Sequence, residues 1–273
     1  MTLSHEIHDG VAVATIDHPP SHLVDGPFFM ALLDLLAALE SDESVRVLVL
    51  RSADPDFFLM HGDVEMLKDL APSYTETSEP NVAAATFSRL RTGRLVTIGL
   101  LDGFARGGGC ELLCGVDLRF GSERAVVGQP EVALGIIAGA GGTVRWREAV
   151  GRGRALDILL TGRDVEAQEL YDIGWLDRLV SSAELEAVGL SVALRIAAMP
   201  TGAVAAIKQV VDAPPDDALV VESNAVARLL ASGDHRDRME RFLAVGGQTR
   251  EAETTRMTSL IDAVLDEKFE RPF

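Results

Sequence analysis

The sequence predicts an α/β core followed by a helical C-terminal portion. Short apolar runs alternate with helix-period stretches through the first half of the 273 residues. From Gly142 onward the pattern is helical almost throughout. Between these regimes, Gly107-Gly108-Gly109 joins an apolar strand to a helix. Strands and helices in alternation, then helices alone, argue for a core over residues 1–199 and a helical region over residues 200–273.

Residues 11–16 (VAVATI) read as a strand. Asp17-His18-Pro19-Pro20 ends it, because proline cannot continue a ladder. Pro27 suits the first turn of a helix running to about Leu39, with Leu32, Leu35, Leu36 and Leu39 on one buried face. Residues 45–51 (VRVLVLR) form the next strand, apolar enough to be covered on both sides. Residues 52–63 read as a loop, and residues 71–81, rich in Ser, Thr, Pro and Glu, as a mobile surface segment. A helix over about 82–91 leads to a strand over 95–101 (LVTIGLL). After the glycines a helix carries Glu111, and residues 118–120 and 125–127 look like short strands. Further helices are expected over 165–171, 183–198, 202–211, 218–230, 235–244 and 251–268. Pro200 and Pro214-Pro215 break the joins between them.

Composition narrows the function. The chain is 47% apolar and 25% charged, an ordinary globular balance. A net charge of −17 argues against a nucleic-acid or anionic-membrane partner. Cys110 and Cys114, four apart, read as small packing residues on one helix face rather than a disulfide or metal pair, which fits a reduced, cytoplasmic setting. Residues 1–20 carry no export signal, and the most apolar helical stretch is too short to span a bilayer.

The chemistry gathers around the glycines. A helix start presents unpaired N–H groups and favours negative charge. Glycine lets backbone come close to another group there. Glu111 stands one turn into that helix, and Glu131 follows in Gly128-Gln129-Pro130-Glu131. Two acids near an anion-binding turn suggest reactions on a carbonyl whose oxygen becomes negative. Taken alone, Glu111 is equally a complement to the helix dipole, Glu131 a surface acid, and Asp63 a helix cap. Gly139-Ala140-Gly141 lacks the third glycine of a dinucleotide fingerprint, and no Gly-x-Ser-x-Gly elbow is present.

These motifs, in this order and spacing, resemble the crotonase superfamily, the enoyl-CoA hydratase/isomerase group. The resemblance covers roughly residues 11–180. It is carried by Asp102 to Leu112 (DGFARGGGCEL), Gly128-Gln129-Pro130-Glu131-Val132, Gly139-Ala140-Gly141-Gly142-Thr143, Leu160-Thr161-Gly162 and Gly174 to Val180 (GWLDRLV). It implies a spiral of ββα turns capped by C-terminal helices that mediate trimer formation, and an acyl-CoA thioester as substrate. By position, the amides of Gly62 and Gly108 would hold the thioester oxygen as an enolate. Glu111 would activate water for attack at Cβ, and Glu131 would handle the proton at Cα. Met60, His61, Asp63 and Gly139 are the expected substrate-binding positions. The resemblance implies no metal and no cofactor beyond coenzyme A within the substrate, and a homotrimer or hexamer. Three departures stand out: His61 replaces a glycine beside the first oxyanion donor, Ala138 replaces a common proline, and residues 242–247 lack the usual basic tail. Hydration is therefore the leading expectation, with enoyl-CoA isomerisation or an inactive crotonase-like assembly protein as alternatives.

Overall fold

The computed structural model describes residues 2–20, 22–70, 75–214, 216–233, 235–246, 248–249 and 257–265. Strands β1 (Thr2–His8) and β2 (Val11–Asp17) form an antiparallel hairpin registered from Thr2↔Asp17 to His8↔Val11. Its turn, Asp9-Gly10, has φ of 50° and 78°. That two-residue turn with both φ positive matches the twist of the strands it joins. The apolar pattern begins only at Val11 and misses β1, because β1 is polar and exposed along nearly its whole length.

The chain continues through α1 (Gly26–Ser41), β3 (Val47–Ser52), the short β4 (Phe57–Leu59), α2 (Val64–Leu70) and α3 (Val82–Thr92). The same order recurs as β5 (Val96–Leu101), β6 (Phe104–Arg106) and α4 (Gly108–Gly115). It recurs again as β7 (Leu118–Ser122), β8 (Val126–Gly128), a 3₁₀ turn Pro130–Leu134, α5 (Gly142–Val150) and α6 (Arg152–Thr161). Then come β9 (Asp164–Glu166), α7 (Ala167–Asp172), β10 (Arg178–Val180) and α8 (Ser182–Ala197).

The longer strand of each turn joins a six-stranded sheet, ordered β1-β2-β3-β5-β7-β10. The shorter strand joins a four-stranded sheet, ordered β4-β6-β8-β9. Pairing is parallel throughout except β1 with β2 and β8 with β9. This is the expected α/β winding of ββα turns. Strand β5 is buried at every position, as a parallel strand covered on both faces requires. In α1, Asp25 accepts the Phe28 amide at 2.8 Å as N-cap, and Phe28, Leu32, Leu35, Leu36 and Leu39 fill the core. Cys110 and Cys114 are free, buried thiols on α4, in the same core as the stacked rings of Trp146 and Trp175.

Two expectations are corrected. The loop predicted over 52–63 contains β4, whose three residues pair with β6. The helix predicted from Val165 begins at Ala167, because Asp164–Glu166 pairs antiparallel with β8 and buries Val165. Of the segment 71–81, residues 71–74 lie outside the described residues, and 75–81 form no helix or strand.

By its internal contacts the chain divides into two units, Met1–Ala197 and Ala198–Phe273. The second contains α9 (Thr201–Val211), α10 (Ala218–Ser232), α11 (Arg236–Ala244) and α12 (Met257–Leu265). The last falls inside the helix expected over 251–268, whose remaining residues lie outside the described ones.

Candidate active site

The site forms where two backbone segments meet the start of α4. After β2 the chain turns back, and His22–Val24 runs parallel to Met60–Asp63. Met60 N–H donates to His22 O at 2.7 Å, Val24 N–H to His61 O at 3.0 Å and Asp63 N–H to Val24 O at 3.0 Å. His18 Nε2 lies 2.9 Å from Asp25 Oδ2 and closes this loop onto the start of α1. His22 is buried inside it, with its imidazole held below the usual pKa chiefly by burial.

This ladder uses one face of the 60–63 segment. The Gly62 N–H projects from the other face and has no hydrogen-bond partner among the described residues. The Gly108 N–H, first in α4, likewise has none. A Cβ on Gly108 would stand 3.3 Å from Gly62 N, so the two residues that carry these free amides are in close contact. The peptide that carries the Gly62 N–H also carries the His61 carbonyl, which accepts from Val24. That bond polarises the peptide and strengthens its free donor.

Glycine is required in two senses at the start of α4. Gly107 has φ 50° and ψ −121°, a conformation closed to ordinary side chains. Gly109 abuts β4 so closely that a Cβ would lie 1.9 Å from Leu59 O, while its amide donates to Met60 O at 2.9 Å. These contacts fix the helix start against the segment bearing Gly62, and the helix dipole adds its positive end there.

Glu111, one turn in, is 5% exposed. Its Oε1 accepts from Ala140 N at 2.6 Å and Gly142 N at 3.0 Å, whereas Oε2 has no partner among the described residues. Burial raises the carboxyl above its ordinary pKa; the two amides and the charge of Arg145 oppose that rise. Glu131 stands on the 3₁₀ turn with its Oε1 beside Gly107: a Cβ there would be 2.8 Å from both this oxygen and His61 Cβ. Its pKa is pushed up to about 7, by burial first, with its own amide opposing and the Glu111 charge adding. Gln129 is buried behind it. With its nitrogen toward the carboxylate, Gln129 donates to both oxygens at 3.1 Å; turned over, its oxygen would accept from the protonated acid.

The structure therefore brings Glu111, Glu131, Gly62, Gly108 and His61 to one place. His61 Nδ1 lies 3.0 Å from Gly62 O, so in the neutral ring Nδ1 carries the hydrogen and Nε2 is an acceptor. Met60 contributes the carbonyl that anchors Gly109. Asp63 caps α2, its Oδ1 accepting from Glu65 N at 2.9 Å and Met66 N at 3.2 Å. Gly139 stands in the segment that supplies the Ala140 amide, and its carbonyl accepts from Asn81 Nδ2 at 2.9 Å. Sequence reasoning missed Gln129, Asn81 and Val24 as parts of this arrangement. A buried amide before Pro130 and an Asn capping α3 were the signals for the first two; Val24 leaves none.

Residues 6–254 match the family model described as enoyl-CoA hydratase/isomerase. The chain is 30% identical over 239 residues to a short-chain-enoyl-CoA hydratase of Clostridium acetobutylicum, covering 85% of this chain and 91% of that one. It is 30% identical over 244 residues to a crotonyl-CoA hydratase of Syntrophomonas wolfei, covering 87% and 93%. The crystal structure of an enoyl-CoA hydratase from Geobacillus kaustophilus superposes with a TM-score of 0.80 at 28% identity, over 88% of this chain and 93% of that one. One from Bacillus anthracis, at 23% identity, shares the fold with a TM-score of 0.81 over 89% and 96%. With a match over most of its length and hydratases among its relatives, the chain belongs to the enoyl-CoA hydratase/isomerase family.

Proposed function

We propose that this enzyme adds water across the 2,3-double bond of an acyl-CoA thioester. One observation carries the reading: two unpartnered backbone amides belong to the closely packed residues Gly62 and Gly108, with two acids of unequal character beside them. A thioester oxygen seated between the amides gains charge as the β-carbon is attacked. Each donor aimed at such an oxygen is typically worth about 3–4 kcal/mol of transition-state stabilisation.

The acids divide the proton work. Glu111, tied through Oε1 to two amides and facing Arg145, is the one held as carboxylate; its Oε2 takes a proton from water as oxygen bonds to Cβ. Glu131, raised to about 7, retains its proton at neutral pH to a useful extent and delivers it to Cα as the enolate collapses. The product carries one hydroxyl and one new C–H bond. The acids end with exchanged protonation, which solvent restores. Coenzyme A takes part only as the thioester's carrier, and no further cofactor enters. The relatives named for short-chain and crotonyl substrates support crotonyl-CoA as the first compound to try.

Loss of the conjugated thioester absorbance measures hydration directly. Glu111→Gln and Glu131→Gln should each lower turnover by at least about a hundredfold, the usual scale for a positioned acid or base, with the fold retained by circular dichroism. Near-normal turnover in either variant removes that residue's role. A 3-enoyl thioester converted to its 2-isomer without hydration would instead assign isomerisation. Absence of any acyl-CoA binding by calorimetry would assign an inactive scaffold. We further infer a homotrimer or hexamer built through the C-terminal helices. The exposed Leu219 (77%) and Val220 (62%) of α10 support an interface there, and light scattering would measure the mass.

A further inference from the structure

Glu111 is held by a peptide group that is itself held. The Gly139 carbonyl accepts from Asn81 Nδ2 at 2.9 Å. The N–H of that same peptide unit, on Ala140, donates to Glu111 Oε1 at 2.6 Å. Asn81 Oδ1 meanwhile accepts from Ala84 N at 2.9 Å, capping α3. One side-chain amide thus joins the positive end of a helix to a buried carboxylate through aligned dipoles. Each donor in such a line is strengthened by the bond its own carbonyl accepts. A helix cap alone needs only Oδ1; the Nδ2 bond reaches across 58 residues to the segment behind Glu111.

We propose that Asn81 is a positioning residue for Glu111: it fixes the Gly139–Ala140 peptide so that Oε1 stays engaged and Oε2 is presented to the reaction. The proposal rests on the base role given to Glu111 above. The second amide, Gly142 N at 3.0 Å, belongs to α5 and is independent of Asn81, so loss of Asn81 weakens the cradle without removing it. The other ionisable groups coupled to Glu111 are Arg145 on α5, Glu131 on the 3₁₀ turn, and the thiols Cys110 and Cys114 on its own helix. None of these is altered by a change at position 81.

Asn81→Ser separates the two duties, because serine caps a helix about as well as asparagine but leaves the Gly139 carbonyl without its donor. Expected are a melting temperature near wild type, a Glu111 titration moved up by roughly half a pH unit, and kcat lowered about fivefold at little change in KM. Asn81→Ala should show the same shift plus a lower melting temperature. Carboxyl ¹³C NMR, with Glu111→Gln assigning the resonance, reads the titration whether or not the enzyme turns over. A shifted titration in a protein inactive toward every enoyl-CoA would uphold the Asn81 link and sink the hydratase reading. An unshifted titration and unchanged kcat in Asn81→Ser would overturn the link itself. Should that variant fail to fold, Asn81→Asp, which also caps, carries the same test on kcat.

Discussion

Glu111 and Glu131 carry the same functional group, and their surroundings drive them apart. Burial raises both, yet only Glu111 has two backbone amides and a guanidinium working against the rise. A carboxylate base and a protonated acid can therefore coexist at neutral pH. The consequence for rate is directional. In the proposed mechanism hydration uses the proton of Glu131, so kcat/KM for hydration should fall as pH climbs through about 7, and a pH–rate profile with crotonyl-CoA reads it. A profile flat to pH 9 would remove Glu131 as the proton donor. Stability follows the same pKa with its own sign. A folded-state pKa above the unfolded one means the native protein binds more protons between about 4.5 and 7. The associated stability is present below about 4.5 and is lost as pH rises through about 7. Glu131→Gln removes this dependence, so the variant should melt a few degrees above wild type at pH 8 and close to it at pH 4.5. Equal melting temperatures at pH 8 would show that the half-buried carboxylate carries no penalty.

At the level of elements, helix α4 shows how a strand–turn–helix unit becomes a site. Its glycines have different jobs, and substitution separates them. In Gly109→Ala the new Cβ would lie 1.9 Å from Leu59 O, a backbone atom that cannot step aside. The helix must move off β4, at about 1–3 kcal/mol or more of overpacking strain, and thermal melting should drop accordingly. In Gly108→Ala the nearest atoms are 3.1 Å and 3.2 Å away on Val24, with Gly62 N at 3.3 Å. That protein should fold with a modest loss of stability but lose turnover, because the methyl sits against the amide pair. A Gly109→Ala variant as stable as wild type would contradict the close contact with β4. The same unit marks what the sequence can disclose. The Gly107-Gly108-Gly109 run, the strand before it and Glu111 are contiguous, and local periodicity locates them. The strands β4, β6, β9 and β10 are three residues each and exist because neighbouring strands offer them a ladder, which their own sequence does not show. The groups that set the chemistry of Glu111 lie farther away still. Ala140, Gly142 and Asn81 are unremarkable residue types whose value comes from the peptide atoms or amide they place, which no side-chain pattern encodes.

The whole molecule carries a net charge of −17, and its proposed substrate is itself a polyanion. Association between like charges is slowed by their long-range field, and salt relieves that repulsion. At about 0.01 M ionic strength the field reaches roughly 30 Å, whereas at about 0.15 M it is cut to roughly 8 Å. Two opposing effects then compete at the site. The global field repels the nucleotide phosphates; basic side chains close to them, if present in the bound state, attract them over short range and lose strength as salt rises. The 3₁₀ turn and the residues after it, Pro130 to Ile137, carry no basic side chain, and Leu134 and Ile137 are 60% and 71% exposed there, so the global field should dominate. Accordingly, kcat/KM for crotonyl-CoA should increase severalfold as ionic strength rises from 0.01 to 0.15 M, on the order of the screening change just given. The N-acetylcysteamine thioester of the same acid, which has the reacting atoms but no phosphates, should show no such increase. Because the proposed mechanism uses the same amides and acids for both compounds, their ratio isolates encounter from chemistry. A decrease with salt for the CoA thioester alone would reveal a local basic cradle strong enough to outweigh the field of the whole protein.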